Sequence, residues 1–373
     1  THLTECVAQW LAIIAPFLDS ANKYVFMTLV TKDGYGGLEH RASTALVTSR
    51  KDLPVTSNTD QPDGYSQFLG LVSHEYFHTW HVKRIKPAAF APYDLLAPNH
   101  TRLLWVFEGF TSYYDDLMLV RSGVLDRDGY FKALGKTIAS VHSGSGRYKQ
   151  SLADSSFDAW TKYYKQNENA PNAIVSYYTK GALVALGLDL TIRQSSDHSK
   201  SLDDVMRALW QRYGQAFYRG KPIGLDEQAL ADLILETTGV DVTAELQQWV
   251  DGCEDVPLGD LFAQEGIELS WKASDNCPDL GITVKSSGQD LLIRQVFEGG
   301  PAYLAGLSAG DVLIAVNGLR VGNSPASLKE LLRPFSPKQM IEVHFFRGDA
   351  LKVARICLDA PKKSICQLQT IRT

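Results

Sequence analysis

The chain has 373 residues, 45% hydrophobic and 21% charged, with a formal net charge of −5 and a pI near 6.0. That length accommodates two or three domains with a sizeable core. The charge balance excludes a strongly basic nucleic-acid surface or polybasic lipid anchor, and no apolar run is long enough to span a bilayer, so neither nucleic acid nor membrane is an expected partner.

Residues 4–20 place Val7, Leu11, Ile14 and Leu18 on one helical face, and residues 24–30 read as a buried strand. A glycine-rich edge follows at Gly34-Tyr35-Gly36-Gly37. Asp63 is suited to cap a helix that runs through Phe68, Leu71 and Val72 and past His78, with Pro87 as its stop. Further helices are predicted over 101–122, 127–141, 173–195, 202–213, 226–237 and 243–250. From Ile267 the texture changes to short strands, at 282–284, 291–297, 312–316, 341–346 and 351–358, separated by Gly and Pro turns. The boundary falls near 254–262. Five cysteines, Cys6, Cys253, Cys277, Cys357 and Cys366, show no CxxC spacing, which argues against a disulfide framework and a thiolate metal site. With neither an initiator Met nor a basic leader, the chain reads as a fragment; the compartment stays open, cytoplasmic favoured over periplasmic or secreted.

His74-Glu75-Tyr76-Phe77-His78 is an HExxH sequence. On a helix, imidazoles at i and i+4 lie one turn apart on one face and can grip a single tetrahedral ion, while Glu75 stands beside them as a general base toward metal-activated water. One zinc ion suits this donor set, because it acidifies water and keeps a coordination position open. Phe68, Leu71, Val72, Tyr76 and Phe77 mark the helix as buried, where two histidines without a ligand are costly to desolvate. Glu108 stands in an apolar, aromatic run, Trp105 to Tyr114, and is the expected third ligand, since a carboxylate there calls for a cation. Asp115, two turns further on the same face, is suited to take the second ring proton of a ligand histidine; Asp115 and Asp116 are alternatives, as is a solvated role for both. His81 is a rival ligand in principle and reads as supporting or structural. Arg84 and Lys86 read as structural, and His40, His100, His142, His198 and His344 lack ligand-like partners.

Together, GYGGLEH, SHEYFHTWHVKRIKP, FEGFTSYY and SYYTKGALVALGLDL resemble the PDZ-containing glycyl aminopeptidase family of the gluzincin metallopeptidases, over essentially the whole chain. The resemblance implies a mixed α+β, mainly helical fold: a thermolysin-like catalytic subdomain over 1–125, a helical subdomain over 126–256 and a PDZ domain over 262–361. By the same resemblance, a β-rich N-terminal domain of the family is expected to lie outside this sequence. It further implies removal of N-terminal residues, glycine and alanine preferred, from peptides with a free amino terminus. Glu39 matches the glutamate that receives the α-amino group, and a carboxylate at the closed end of a cleft does favour an ammonium. Gly36 and Gly37 leave a strand edge open to an extended substrate, or simply form a turn or bulge. Tyr178 matches the tyrosine that donates to the oxyanion, whereas its neighbour Tyr177 fits a packing role.

Leu280-Gly281-Ile282, Gly299-Gly300-Pro301-Ala302 and the run from Gly310 to Gly318 resemble a PDZ domain, whose Leu280 loop holds a peptide carboxylate on backbone amides. Such a groove captures protein C-termini or serves as a fixed wall for the catalytic region. The rival readings for the whole chain are a zinc endopeptidase and a catalytically silent PDZ scaffold.

Overall fold

The computed structural model describes residues 23–54, 64–220 and 222–371; the expected helix at 4–20, the expected cap Asp63 and Cys6 lie outside them. Strands β1 (Val25–Thr31), β2 (Gly36–Glu39) and β3 (Ser43–Ser49) form one sheet in the order β1-β3-β2, with β1 parallel and β2 antiparallel to β3. Helix α1 (Tyr65–Phe77) covers one face of it, closing Leu71 and Val72 over Leu46. Because strand side chains alternate between faces, the other face of β1 is left to solvent. Met27 and Leu29 are 50% and 63% exposed, so β1 is a half-buried edge strand and not the buried strand its composition suggested.

Helix α1 stops at Phe77, well before Pro87. His81 N still donates to Phe77 O at 3.1 Å, but beyond it the backbone widens into turns in which Lys83 N donates to His78 O and Ile85 N to Trp80 O, so regular helix does not continue past His81. A single turn of π-helix, Trp105–Gly109, leads into α2 (Phe110–Arg121). The longer helices in the rest of the helical body are α3 (Arg127–His142), α4 (Thr179–Ser195), α5 (Leu202–Leu209) and α6 (Ala229–Thr238). Two predicted helices also end in π-helical turns, at Trp210–Gly214 and Gln247–Asp251. Helix α4 begins six residues later than expected of 173–195, since Ser155 Oγ donates to Val175 O at 2.6 Å and Gln150 Oε1 accepts from Val175 N at 3.1 Å. Those side chains hold the preceding segment extended.

The core of the body joins Phe77, Phe107, Phe110 and Tyr114 to Leu183, Val184 and Leu188 of α4. Helix α4 reaches the π-turn closely because two glycines face each other: a Cβ on Gly109 would lie 2.6 Å from Gly181 Cα. Backbone cannot yield as a flexible side chain does. Gly109→Ala is therefore expected to cost about 1–3 kcal/mol, seen as a lowered Tm in thermal melts.

The second unit is built from β5 (Ile282–Ser287), β6 (Asp290–Val296), β7 (Val312–Val316), helix α7 (Pro325–Leu332), β8 (Met340–Arg347) and β9 (Ala350–Cys357). Its sheet order is β9-β8-β7-β6-β5, around a core running from Cys277 to Leu358. Two strands outside this core were not named from the sequence: β4 (Ile267–Ala273) before it and β10 (Lys363–Thr370) after it pair with each other, and Cys366 and Leu368 join the core of the helical body. Thus the β-rich unit is entered and left through one ribbon lying on α3. Asn172 fixes the other contact, donating to Val296 O at 2.8 Å and accepting from Glu298 N at 3.0 Å.

Candidate active site

Helix α1 presents His74 and His78 toward Glu108 on the π-turn, with Glu108 Oε2 at 3.3 Å from His74 Nε2 and 3.2 Å from His78 Nε2. Ligand atoms of the three residues all lie within 4.8 Å of one another. Each imidazole is held from behind. His74 Nδ1 lies 3.1 Å from Asp115 Oδ2, and His78 Nδ1 lies 3.0 Å from the His81 carbonyl. A ring whose Nδ1 carries the proton to an acceptor offers only a lone pair at Nε2. Two such lone pairs then face a carboxylate, an arrangement satisfied by a cation and not by hydrogen bonds, so the donor set fits a bound metal. In its absence the same crowding drives protonation: burial opposes charge on His74, yet the carboxylates of Asp115 and Glu108 raise its pKa to about 10.

Asp115, not Asp116, contacts His74. His81 has no part in the triad. Its ring is fully buried, stacks on Phe77 and Phe107, and lies with Nε2 3.0 Å from Val106 O, while burial lowers its pKa to about 3. Its carbonyl matters more than its imidazole, because ending α1 early is what lets that carbonyl turn back to His78.

Glu75 is 5% exposed, and its Oε2 has no hydrogen-bond partner among the described residues. Burial raises its pKa, opposed by the neighbouring His78 and His74. Gly37 supplies the wall beside it: a Cβ there would fall 2.3 Å from Glu75 Oε1. The missing side chain on β2 thus leaves room for the carboxylate, a reason for glycine that neither substrate addition nor a turn had suggested.

Glu39, at the end of β2, pairs with Lys83 at 2.9 Å. Around them Tyr218 donates to Lys83 O at 2.6 Å, Arg41 lies over the Tyr218 ring, and Lys86 lies 4.6 Å from the Tyr93 ring centroid. Arg84 donates to Thr79 O at 2.6 Å, tying down the turn after α1. On the opposite side, Tyr178 sits just before α4 with its ring 6.3 Å from His74, stacked on the fully buried Tyr177 at 4.6 Å. Burial, then the charge of Glu108, keeps the Tyr178 phenol protonated far above neutrality. Its hydroxyl lies 3.0 Å from that of Tyr164. Neither Lys83 nor Tyr164 had been singled out: Lys83 lies beside Arg84 and Lys86, which read as structural, and Tyr164 in a stretch without periodicity.

In the β-rich unit Leu280 is buried and Gly281 has φ +71°, with Ile282 opening β5. The Gly281 amide donates to Asp279 Oδ1 at 2.9 Å. A groove lined by Leu280, Ile282, Val284, Leu328 and Leu332 runs between β5 and α7. The contact with the helical body through Asn172 is made at the Val296 end of β6, beside this loop, where Val296 pairs with Ile282 and Phe297 N donates to Gly281 O at 2.8 Å.

The fold is that of an aminopeptidase N family protein from Idiomarina loihiensis, which matches 100% of this chain at 39% identity with a TM-score of 0.92. The chain carries an M61 glycyl aminopeptidase domain, matched over residues 67–184, and a PDZ domain, matched over 278–358. It spans 64% of the Idiomarina chain. Protein PALS2 of Homo sapiens and MAGUK p55 subfamily member 2 of Rattus norvegicus are each 37% identical over 65 residues, which is 17% of this chain and 12% of theirs. No helix among the described residues is long and apolar enough to cross a membrane.

Proposed function

We propose that the chain is a zinc-dependent aminopeptidase that removes small N-terminal residues, glycine and alanine preferred, with His74, His78 and Glu108 as ligands. The observation that carries this reading is the pair of Nε2 atoms turned with Glu108 toward one point, beside Glu75, whose Oε2 has no hydrogen-bond partner among the described residues. Zinc held there would supply an acidified water and a polarised scissile carbonyl. Glu75 takes the proton of the attacking water and returns it to the leaving amine. Tyr178 donates to the oxygen on which negative charge develops, and Glu39 holds the substrate ammonium, exchanging it for that of Lys83. Gly36 and Gly37 keep the β2 edge clear for the substrate backbone. The Leu280-Gly281-Ile282 loop offers a second, separate peptide site, the ligand being a C-terminal segment.

A panel of aminoacyl and peptide reporters, free and N-acetylated, assayed with and without chelator, tests the reading. Chelator-sensitive cleavage of glycyl and alanyl reporters is expected, with acetylation lowering kcat/KM by about 10- to 10²-fold, the scale of one charge-assisted hydrogen bond removed. Equal cleavage of blocked and free peptides would instead identify an endopeptidase. Stoichiometric zinc without turnover on any peptide would identify a silent scaffold.

A further inference from the structure

We infer that Tyr164 is a positioning residue for Tyr178: its hydroxyl donates to the Tyr178 oxygen and thereby turns the single Tyr178 proton toward the metal ligands. The inference rests on the oxyanion role proposed above for Tyr178. The two hydroxyl oxygens are 3.0 Å apart, so one phenol donates to the other. A phenol has one proton to give. If Tyr178 gave its proton to Tyr164, none would remain for the oxyanion, and the bond therefore runs from Tyr164 to Tyr178. Accepting it also polarises the Tyr178 O–H, since hydrogen bonds in series strengthen one another.

Stacking on Tyr177 at 4.6 Å and packing near Tyr163 at 5.7 Å set the plane of the Tyr178 ring. The buried Tyr177 hydroxyl is within hydrogen-bonding reach of both Tyr164 and Tyr178, so the three phenols form one network in which Tyr164 is the exposed member. The placement of Tyr164 also argues for its hydroxyl rather than its bulk. It stands on the short Tyr163–Lys165 turn with its side chain 67% exposed, so little apolar burial explains an aromatic residue there. The exposed oxygen can accept from water while it donates to Tyr178.

Steady-state kinetics of the zinc-loaded chain on a free glycyl or alanyl reporter, for Tyr164→Phe, Tyr178→Phe and the double variant, test this directly. Tyr164→Phe is expected to lower kcat about 3- to 10-fold, the scale of one hydrogen bond, with KM and Tm unchanged. In the Tyr178→Phe background the same change is expected to cost nothing further. A Tyr164→Phe enzyme as fast as the parent or faster would overturn the inference, because the bond would then run the other way. A loss that persists in the Tyr178→Phe background would also overturn it, as Tyr164 would act elsewhere. Full activity in Tyr178→Phe alone would remove the oxyanion role itself, and the positioning role with it.

Discussion

Glu75→Gln will bind as much zinc as the parent chain and lose about 10²- to 10⁴-fold in kcat, the range for a positioned general base. The substitution keeps the shape of the side chain and leaves His74, His78 and Glu108 untouched. It removes the only property required of Glu75, the ability to hold a proton and release it. Burial raises the Glu75 pKa, which favours proton uptake from water; the wall formed by Gly37 leaves the side chain little alternative space. Metal content by mass spectrometry and kcat at saturating substrate are the paired measurements. Turnover within tenfold of the parent at full zinc content would eliminate Glu75 as the base.

Tyr178→Phe will lower kcat about 10²- to 10³-fold with KM nearly unchanged, as for other deletions of one oxyanion donor. Phenylalanine preserves the 4.6 Å stack on Tyr177, so neither fold nor ground-state packing has reason to change. What disappears is a donor whose strength is used only when charge develops on the substrate oxygen. A raised KM at unchanged kcat would mean that Tyr178 merely binds the substrate.

The convergence of His74, His78 and Glu108 was legible before any coordinates, because it depends on local rules. One is the i to i+4 spacing within a helix; the other is the cost of a carboxylate in an apolar run. The strands of the β-rich unit were legible for a similar reason, their short apolar runs being bounded by glycine and proline. The π-turn at Trp105–Gly109 was not, since an apolar pattern fits one added residue per turn nearly as well as a regular helix. Nor was the ribbon of Ile267–Ala273 with Lys363–Thr370, whose partners lie far apart in the chain. Lys83 and Glu39 meet across two different elements, and Tyr164 reaches Tyr178 from an irregular turn; no periodicity reports either contact. Helix α1 ended early because turns after Phe77 engage the carbonyls of His78 and Trp80, a competition that proline punctuation does not reveal.

With Glu39 holding the substrate ammonium as proposed, its 2.9 Å pairing with Lys83 sets how a free amino terminus is chosen. The pair is itself neutral before a peptide arrives and Arg41 and Lys86 stand nearby, so the anchor does not draw cations from a distance. Discrimination is made at contact range, where an incoming ammonium replaces one already seated. Such an exchange leaves the charge of the carboxylate's first neighbours unchanged, and added salt is screened against little. Selection between free and blocked peptides on this basis should hold across ionic strengths at which a steered enzyme would lose its preference.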